Sequence, residues 1–390
     1  MKIINYAFQN IDQSDIDSVV EVLKSQFITQ GPKIEEFEQA VASKVNAKYS
    51  VAVNSATSAL HIACLALDVG PGDWVWTSPN TFVASANCAI HCGANVDFVD
   101  IDPKTYNINV NHLSNKLKES KRLNKLPKVI IPVHFAGQPS DMFAIHKLSQ
   151  EYGFKIIEDA SHAIGAEYSK IKVGSCHHSQ ITIFSFHPVK IITSGEGGML
   201  LTNENQIFEK LIRLRTHGIT NKKQFMELKG IDNEIWNYQQ IELGFNFRLT
   251  DIHASLGISQ LKRLDKFLND RHEIAKYYDK NLKHLPITLP YQEPHNYSSY
   301  HLYPIRINKD VASKTQNEVF NFLKKNGIFA NLHYAPVHLH PFYKAMGFKK
   351  NDFIEAEQYH REVLTLPIYS GLTKDQLNYI VDVLNKILIS

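Results

Sequence analysis

The chain has 390 residues, of which 44% are hydrophobic and 21% charged, and its formal net charge at pH 7 is +3. This length suits one large domain and a smaller one. A net charge so close to zero does not create the strong positive field that is typical of nucleic-acid-binding proteins. The apolar runs are too short to cross a membrane, and the first residues lack the apolar core of a signal peptide. We therefore expect a cytoplasmic protein that binds neither nucleic acid nor membrane and keeps its four cysteines reduced.

The N-terminal part of the chain predicts two helices that precede a run of short strands. Apolar residues recur at helical spacing over residues 14–24 and 33–45. Between them, FITQGP (27–32) contains Gly31 and Pro32 and predicts an irregular loop. The predicted strands are YSVAV (49–53), WVWTS (74–78), VDFVD (96–100), KVIIPV (128–133), KIIED (155–159), ITIFSF (181–186) and GMLLT (198–202).

Helical segments separate several of these strands. SATSALHIACLAL (55–67) starts with small polar residues and continues as an apolar helix, and TFVASANCAIHC (81–92) follows the next strand. Repeated β–α alternation with strands rich in Val and Ile is typical of a mostly parallel sheet that is covered by helices on both faces. We therefore predict an α/β fold of this kind.

The pattern changes in the last third of the chain. A long helical region covers roughly 250–281, and YHLYPIRI (300–307) alternates like a strand with one exposed face. Further helices are predicted near 313–326 and 373–387. These elements predict a smaller C-terminal α+β domain, and we divide the chain into residues 1–259 and 260–390.

Residues with chemical potential follow several predicted strands. Ser55 and Thr57 follow the first strand of the alternation at a helix start, and Phe82 follows the second. Asp159 ends another strand, and Lys190 comes shortly after ITIFSF. Each residue alone has an ordinary explanation, such as a helix cap, a core aromatic or a solvated lysine. However, ligands of open α/β sheets bind at the carboxyl ends of the strands, so the shared placement indicates a site.

This set of groups suits pyridoxal 5′-phosphate. A lysine amine is needed to bond to the cofactor's aldehyde, and a carboxylate beside the pyridine nitrogen keeps that nitrogen protonated. Unpaired N–H groups at a helix N-terminus favour the phosphate dianion, and an aromatic ring can stack on the pyridine ring. Lys190 and Asp159 are therefore the candidate catalytic residues.

Longer stretches around these residues resemble a known family. EDASHAIGAEY (158–168), FSFHPVKIITSGEGGML (184–200) and LGFNFRLTDIHASLGISQL (243–261) are similar to the three signatures of sugar aminotransferases of the DegT/DnrJ/EryC1/StrS family. NSATSALH and SPNTFVASANCA match as well, so the resemblance covers essentially the whole chain. It implies the fold of type I pyridoxal phosphate-dependent aminotransferases, with a seven-stranded sheet. One branch of the family replaces the lysine by histidine and dehydrates its substrate, whereas Lys190 here favours amino transfer.

The resemblance also implies a role for individual residues. Lys190 would bond to the cofactor's aldehyde and Asp159 would pair with the pyridine nitrogen. His162 would lie beside the ring, where many relatives have glutamine. Asn246 would reach the phosphate from a second subunit, which implies a homodimer. The implied cofactor-binding residues are Ala56, Thr57, Phe82, Asp159, His162, Ser185, Lys190 and Asn246.

Further matches imply the substrates. FITQGP (27–32) and LHYAPVHLHPFY (332–343) resemble the branch of the family that aminates a UDP-4-keto amino sugar, UDP-2-acetamido-2,6-dideoxy-β-L-arabino-hexos-4-ulose. L-Glutamate would give the amino group and leave as 2-oxoglutarate, and C4 of the sugar would then receive it. The D-xylo epimer and sugars linked to dTDP or GDP stay open as alternatives. The implied substrate residues are Tyr6, Phe27, Thr29, Gln30, His333 and Tyr334.

Other classes of function fit the sequence less well. The chain has no GxGxxG after an early strand, no P-loop and no GxSxG, so nicotinamide oxidoreductases, P-loop enzymes and serine hydrolases are not supported. His333, His338 and His340 cluster in sequence, but HExxH is missing, and we expect no metal site. A non-catalytic binding module is the remaining alternative, and the pair of Lys190 and Asp159 argues against it.

Overall fold

A computed structural model describes residues 3–226, 237–307 and 311–389 of the chain. The helices of these residues are α1 Gln13–Leu23, α2 Pro32–Val45, α3 Ala56–Ala66, α4 Ala84–His91, α5 Val110–Arg122, α6 Met142–Tyr152, α7 Asn205–Arg215, α8 Asp251–Leu261, α9 Leu264–Leu282, α10 Gln316–Lys325, α11 Pro341–Ala345, α12 Ile354–Glu362 and α13 Lys374–Ile389. The strands are β1 Ile4–Asn5, β2 Tyr49–Val53, β3 Trp74–Thr77, β4 Asn95–Phe98, β5 Val129–Ile131, β6 Lys155–Asp159, β7 Glu167–Tyr168, β8 Ile171–Lys172, β9 Ile181–Ser185, β10 Gly198–Thr202, β11 Ile219–Thr220, β12 Gln239–Gln240, β13 Ile287–Thr288, β14 Asn296–Tyr297, β15 Tyr303–Ile307, β16 Ile328–Phe329 and β17 Val363–Leu366.

A seven-stranded sheet forms the centre of the fold, in the order β2-β10-β9-β6-β5-β3-β4. From β9 to β4 every neighbouring pair is parallel. β10 is antiparallel to both β2 and β9, so it begins where its neighbours end. The predicted α/β fold with a mostly parallel sheet is therefore confirmed, and the seven strands are those that the sequence indicates.

Both faces of this sheet are buried, which explains why its strands are apolar without a polar alternate face. On one face, residues such as Val51, Ile157 and Ile183 pack against α3, α4 and α7. On the other face, Ala52 and Phe184 pack against α2 and α8, and β5 and β6 pack against α5 and α6. These side chains are completely buried, so replacing one such as Phe184 by alanine costs about 3–5 kcal/mol of stability.

Local sequence signals explain the helices that meet the strand ends. Ser55 caps α3 by accepting a hydrogen bond from the backbone N–H of Ser58 at 3.1 Å, and Thr250 caps α8 in the same way through His253. The long helical region predicted over roughly 250–281 consists of two helices, because the chain turns at Lys262 and Arg263. Arg263 is held there by Asp12 and Asp15 of the N-terminal segment.

A second core surrounds the three-stranded sheet β13-β15-β17 and contains α10, α13 and the later part of α9. The expectation that residues 300–307 expose one face is wrong, because β15 is buried almost throughout. One face of β15 packs in this core. On the other face Arg306 pairs with Glu362 at 2.6 Å and lies over the ring of Tyr106 at 5.9 Å. The division of domains at residues 259 and 260 stays a prediction; α8 runs through that position.

The N-terminal segment joins the second core. β1 pairs in parallel with β16, and Ile4 is buried among the residues of that core. The backbone N–H of Ile368 donates a hydrogen bond to the carbonyl of Tyr6 at 3.1 Å. Among the described residues, no helix has the length and hydropathy needed to cross a bilayer.

Candidate active site

A cavity of about 760 Å³ lies at the carboxyl ends of the parallel strands, and we call it the strand-end cavity. β6 and β9 end at it, β2 leads into α3 beside it, and β10 begins next to it. This is the edge at which open α/β sheets bind ligands. Eleven of the residues singled out in the sequence line it: Tyr6, Ser55, Ala56, Thr57, Phe82, Asp159, His162, Ser185, Lys190, His333 and Tyr334.

Asp159 is the buried carboxylate of this cavity, with 5% of its surface exposed. One carboxylate oxygen accepts hydrogen bonds from the backbone N–H and the hydroxyl of Ser161, at 3.1 and 2.6 Å. The other oxygen accepts one from the hydroxyl of Ser85 at 2.6 Å. These three hydrogen bonds hold the carboxylate in one orientation. They also offset the cost of its burial, because a buried carboxylate without hydrogen bonds is unfavourable. Ser85 was not singled out in the sequence, where it appears only as one small residue of an apolar helix.

Lys190 supplies the amine of the cavity. It lies in the loop between β9 and β10, and its backbone N–H donates to the carbonyl of His187 at 2.9 Å. Burial lowers the pKa of its ammonium group to about 8, and the negative charge of Asp159 opposes that shift. A lysine with this pKa is partly neutral near pH 7, so it can act as a nucleophile and as a base.

The start of α3 forms an anion-binding end of the cavity. Among the described residues, the backbone N–H groups of Ala56 and Thr57 have no hydrogen-bond acceptor, as expected in the first turn of a helix. Gly198 lets β10 pass against this turn, because a Cβ atom there would lie 2.6 Å from the carbonyl carbon of Ser55. Ser185, at the end of β9, pairs with Gly198 and lines the same part of the cavity.

Aromatic and histidine rings form the rest of the wall. Phe82 is 58% exposed although it is apolar, and its ring centroid lies 6.4 Å from that of Tyr334. His162 is buried, and its Nε2 atom lies 3.1 Å from the hydroxyl oxygen of Tyr334. His333 bonds through Nδ1 to the hydroxyl of Thr365 at 2.9 Å. Burial lowers the pKa of His333 to about 3 and that of His162 well below its usual value, so both rings are neutral at pH 7.

A further histidine of this wall was missed in the sequence. His301 lines the cavity, and its ring centroid lies 4.4 Å from that of His162. It lies in the loop before β15, more than a hundred residues after His162 and Lys190 in the chain, and no local sequence motif indicates it. Burial lowers its pKa well below the usual value, and so do the charges of neighbouring groups.

Four of the singled-out residues lie outside the strand-end cavity. Phe27 is 48% exposed, and Thr29 pairs with Thr250 through a backbone bridge. Gln30 lines a separate surface pocket of about 520 Å³ beside α2. Asn246 lies in a backbone bridge with Thr216. Within one chain, these four residues therefore do not meet Lys190.

The histidines that raised the question of a metal site are engaged elsewhere. His338 is fully buried, and its Nε2 atom lies 3.0 Å from a carboxylate oxygen of Glu357. His333 lines the strand-end cavity, whereas His340 is partly exposed at the start of α11. Over the described ranges, no group of three or more His, Cys, Asp or Glu side chains is arranged to hold a metal ion.

The residues of the strand-end cavity fit pyridoxal phosphate. Lys190 and Asp159 supply the amine and the carboxylate in one space. The free N–H groups of Ala56 and Thr57 suit a phosphate, and the exposed ring of Phe82 offers a stacking surface. No second lysine lines the cavity within the described part of the chain.

Comparisons with known proteins point to the same chemistry. The sequence model of the DegT/DnrJ/EryC1/StrS aminotransferase family matches residues 9–385. The UDP-4-amino-4,6-dideoxy-N-acetyl-beta-L-altrosamine transaminase of Campylobacter jejuni O:2 is 38% identical over 388 residues, which are 99% of this chain and 97% of that protein. The structure is similar to Helicobacter pylori PseC, an aminotransferase involved in the biosynthesis of pseudoaminic acid, with a TM-score of 0.89, 30% identity and full coverage of both chains. It is also similar to the PLP form of Spr1654 from Streptococcus pneumoniae, with a TM-score of 0.87, 29% identity and coverage of 99% and 100%.

Proposed function

Because this chain belongs to the DegT/DnrJ/EryC1/StrS aminotransferase family, we propose that it uses pyridoxal phosphate to aminate a nucleotide sugar. The donor is L-glutamate, and the acceptor is C4 of UDP-2-acetamido-2,6-dideoxy-β-L-arabino-hexos-4-ulose. The product is UDP-4-amino-4,6-dideoxy-N-acetyl-β-L-altrosamine. The similarity to the Campylobacter transaminase and to PseC supports this acceptor.

One observation carries the chemical part of the proposal: Lys190 and Asp159 line the same cavity at the strand ends. When bound, pyridoxal phosphate supplies an electron sink that stabilises the carbanion formed as a substrate carbon loses its proton. Asp159 would hold the pyridine nitrogen of the cofactor in its protonated form, because its two carboxylate oxygens are fixed by Ser85 and Ser161 and it lines the cavity.

Lys190 both holds the cofactor and moves protons. Its Nζ atom would be the attachment point for the cofactor's aldehyde. The amine of Lys190, when not attached to the cofactor, would take a proton from a substrate carbon and deliver it to the C4′ atom of the cofactor, which its pKa of about 8 permits. Phe82, His162 and Tyr334 enclose the reacting groups and exclude water from them.

Substrate recognition is proposed to use residues of both subunits of a dimer. Tyr6, His333 and Tyr334 line the cavity of their own chain and are proposed to contact the sugar. Phe27, Thr29 and Gln30 are proposed to contact a substrate in the partner's cavity, since they lie outside their own. Asn246 is likewise proposed to reach the partner's phosphate.

Exposed apolar side chains support a homodimer. Phe27 and Ile28 are 48% and 50% exposed and lie in the loop proposed to reach the partner's cavity, and Leu243, three residues before Asn246, is 79% exposed. Apolar groups of this size are typical of interfaces when they occur together. The four cysteines are free and buried, which agrees with the cytoplasmic location that we propose.

Two substrate epimers test the specific acceptor. The purified enzyme is offered the β-L-arabino and the D-xylo forms of the UDP-4-keto sugar in separate reactions with L-glutamate. We expect amination of the β-L-arabino form, with the configuration at C4 assigned by NMR. Exclusive use of the D-xylo form would overturn the acceptor and leave the aminotransferase chemistry intact. Amination of neither form, in a preparation that binds pyridoxal phosphate at Lys190, would point to another nucleotide sugar.

A further inference from the structure

The contact between His162 and Tyr334 determines where the hydroxyl hydrogen of Tyr334 can point. The Nε2 atom of His162 and the hydroxyl oxygen of Tyr334 are 3.1 Å apart. Either group can donate in principle, because a neutral imidazole carries its proton on one of two nitrogens. The direction of this hydrogen bond therefore depends on the tautomer of His162.

The other nitrogen of His162 indicates the tautomer. Nδ1 is buried and has no hydrogen-bond partner among the described residues. A buried N–H group without a partner is rare in proteins, whereas an unpaired acceptor is tolerated more often. The proton of His162 therefore lies on Nε2 and is donated to the oxygen of Tyr334.

His301 closes the space on the other side of His162 without changing this assignment. Its Nδ1 atom is also buried and without a partner within the described ranges, so it neither donates to nor accepts from His162. The two rings pack at 4.4 Å between centroids. Burial and the positive charge of Lys190 lower the pKa of His162, so the ring stays neutral and has one N–H to give.

The hydroxyl hydrogen of Tyr334 is consequently free. Its oxygen accepts from His162, and no acceptor for its hydrogen is present in the part of the chain that the structure describes. Burial and the charge of Asp159 raise the pKa of Tyr334, so the hydroxyl keeps its hydrogen at all physiological pH values. Tyr334 lines the strand-end cavity together with Lys190 and Asp159.

We infer that Tyr334 donates its hydroxyl hydrogen to an oxygen atom of a ligand bound beside Lys190, and that His162 is the residue that positions Tyr334. The inference rests on the proposed function, which supplies two such oxygens. One is the phenolic oxygen of the cofactor, and the other is the carbonyl oxygen at C4 of the acceptor sugar. In either case the hydrogen bond stabilises negative charge on that oxygen, and no proton has to leave Tyr334.

Tyr334→Phe removes the donor, and Tyr343→Phe is the matched control. Tyr343 is buried, its hydroxyl donates to Asn87 at 2.5 Å, and it does not line the cavity. If the cofactor's oxygen is the acceptor, the visible absorbance of the bound cofactor titrates about one pH unit higher in Tyr334→Phe, because the anionic form loses a donor. If the sugar's oxygen is the acceptor, single turnovers with the keto sugar slow about tenfold to hundredfold while those with L-glutamate do not.

His162 variants test the positioning role. His162→Gln keeps a side-chain N–H for the oxygen of Tyr334, so we expect it to recover most of the absorbance titration midpoint and single-turnover rate that His162→Leu loses. His162→Leu removes the N–H group that donates to Tyr334. We expect it to change the absorbance titration or the single-turnover rate in the same direction as Tyr334→Phe. Wild-type behaviour in His162→Leu would overturn the positioning role.

The failure of this inference can be told apart from the failure of the proposed function. Borohydride reduction followed by peptide mass spectrometry reports whether each variant binds pyridoxal phosphate at Lys190. If wild type and Tyr334→Phe are both labelled, and the absorbance titration and the single turnovers are unchanged, the role of Tyr334 is wrong. If wild-type protein is not labelled at Lys190, the proposed function itself is wrong.

Discussion

The strand-end cavity and the segments around residues 27–30 and 246 differ in how they are completed. In the cavity, Lys190 and Asp159 are brought together by neighbouring strands of one sheet, β9 and β6. Phe27, Thr29 and Gln30 lie on a loop outside that cavity, and Asn246 pairs with Thr216 on another. The chemical groups of the site are thus assembled by one chain, whereas we propose that the outlying groups act on a ligand in the cavity of a second chain.

The largest effect is expected inside the cavity, from Lys190→Ala. Loss of the amine removes both the attachment point of the cofactor and the proton carrier, so turnover should fall by at least about 10³-fold. Borohydride labelling should disappear as well. Lys48→Ala, which changes a lysine of the separate surface pocket, is the control and should leave labelling unchanged. A labelled and fully active Lys190→Ala protein would contradict the assignment.

Asp159→Asn should have the second largest effect. The amide keeps the shape of the side chain but has no charge to hold the pyridine nitrogen protonated, so kcat should fall by about 10²- to 10³-fold. Asp141→Asn changes a helix cap that lies outside the cavity, and it should keep wild-type kcat. Equal activities of the two variants would argue against the role of Asp159.

Subunit mixing tests the outlying region directly. Asn246→Asp places a negative charge where we propose that a phosphate binds, so this variant and Lys190→Ala should each be nearly inactive as homodimers. Mixing equal amounts after dissociation should restore about a quarter of wild-type activity, because half of the dimers are mixed and one of their two sites is intact.

The control for this experiment carries both substitutions in one chain. Mixed with wild type, the double variant should form mixed dimers in which neither site is intact. If Asn246 acts within its own chain, the first mixture recovers nothing and the mixed dimers of the second keep one intact site. That result would leave the cavity assignment untouched and remove the proposed role of the partner.

The pKa of Lys190 predicts how cofactor binding depends on pH. Burial lowers this pKa to about 8, and only the neutral amine attacks an aldehyde. The rate at which the cofactor-free protein takes up pyridoxal phosphate should therefore rise about tenfold per pH unit below pH 8 and level off above it. Stopped-flow absorbance measures this rate. A rate that continues to rise up to about pH 10 would indicate an unperturbed lysine.

The smallest effect is expected from Ser85→Ala. This substitution removes one of the donors to Asp159 and leaves both bonds from Ser161, so kcat should fall only about threefold to tenfold. Ser58→Ala, which alters hydroxyl contacts in the first turn of α3, offers a comparison in the phosphate region. A loss as large as that of Asp159→Asn would mean that Ser85 does more than orient the carboxylate.

The sequence by itself determined the α/β class, the seven strands of the large sheet and the residues at their ends. It did so because buried strands are continuous apolar runs and because the carboxyl ends of parallel strands meet at one edge. The motif around Lys190 and the one around Asp159 were therefore readable without coordinates. The roles of Ala56, Thr57, Ser185 and Asn246 came from the family resemblance, and they stay predictions.

Only the tertiary structure decided which distant residues complete the site. His301 was not found in the sequence, and Tyr334 was implied only by the family resemblance, because neither follows a strand of the large sheet. Folding of the second core places both against His162. The same packing buries both faces of β15, whereas the alternation of apolar and polar residues in its sequence predicted one exposed face. Hydrogen bonds such as that from Ser85 to Asp159 join residues more than seventy positions apart, and sequence spacing carries no record of such contacts.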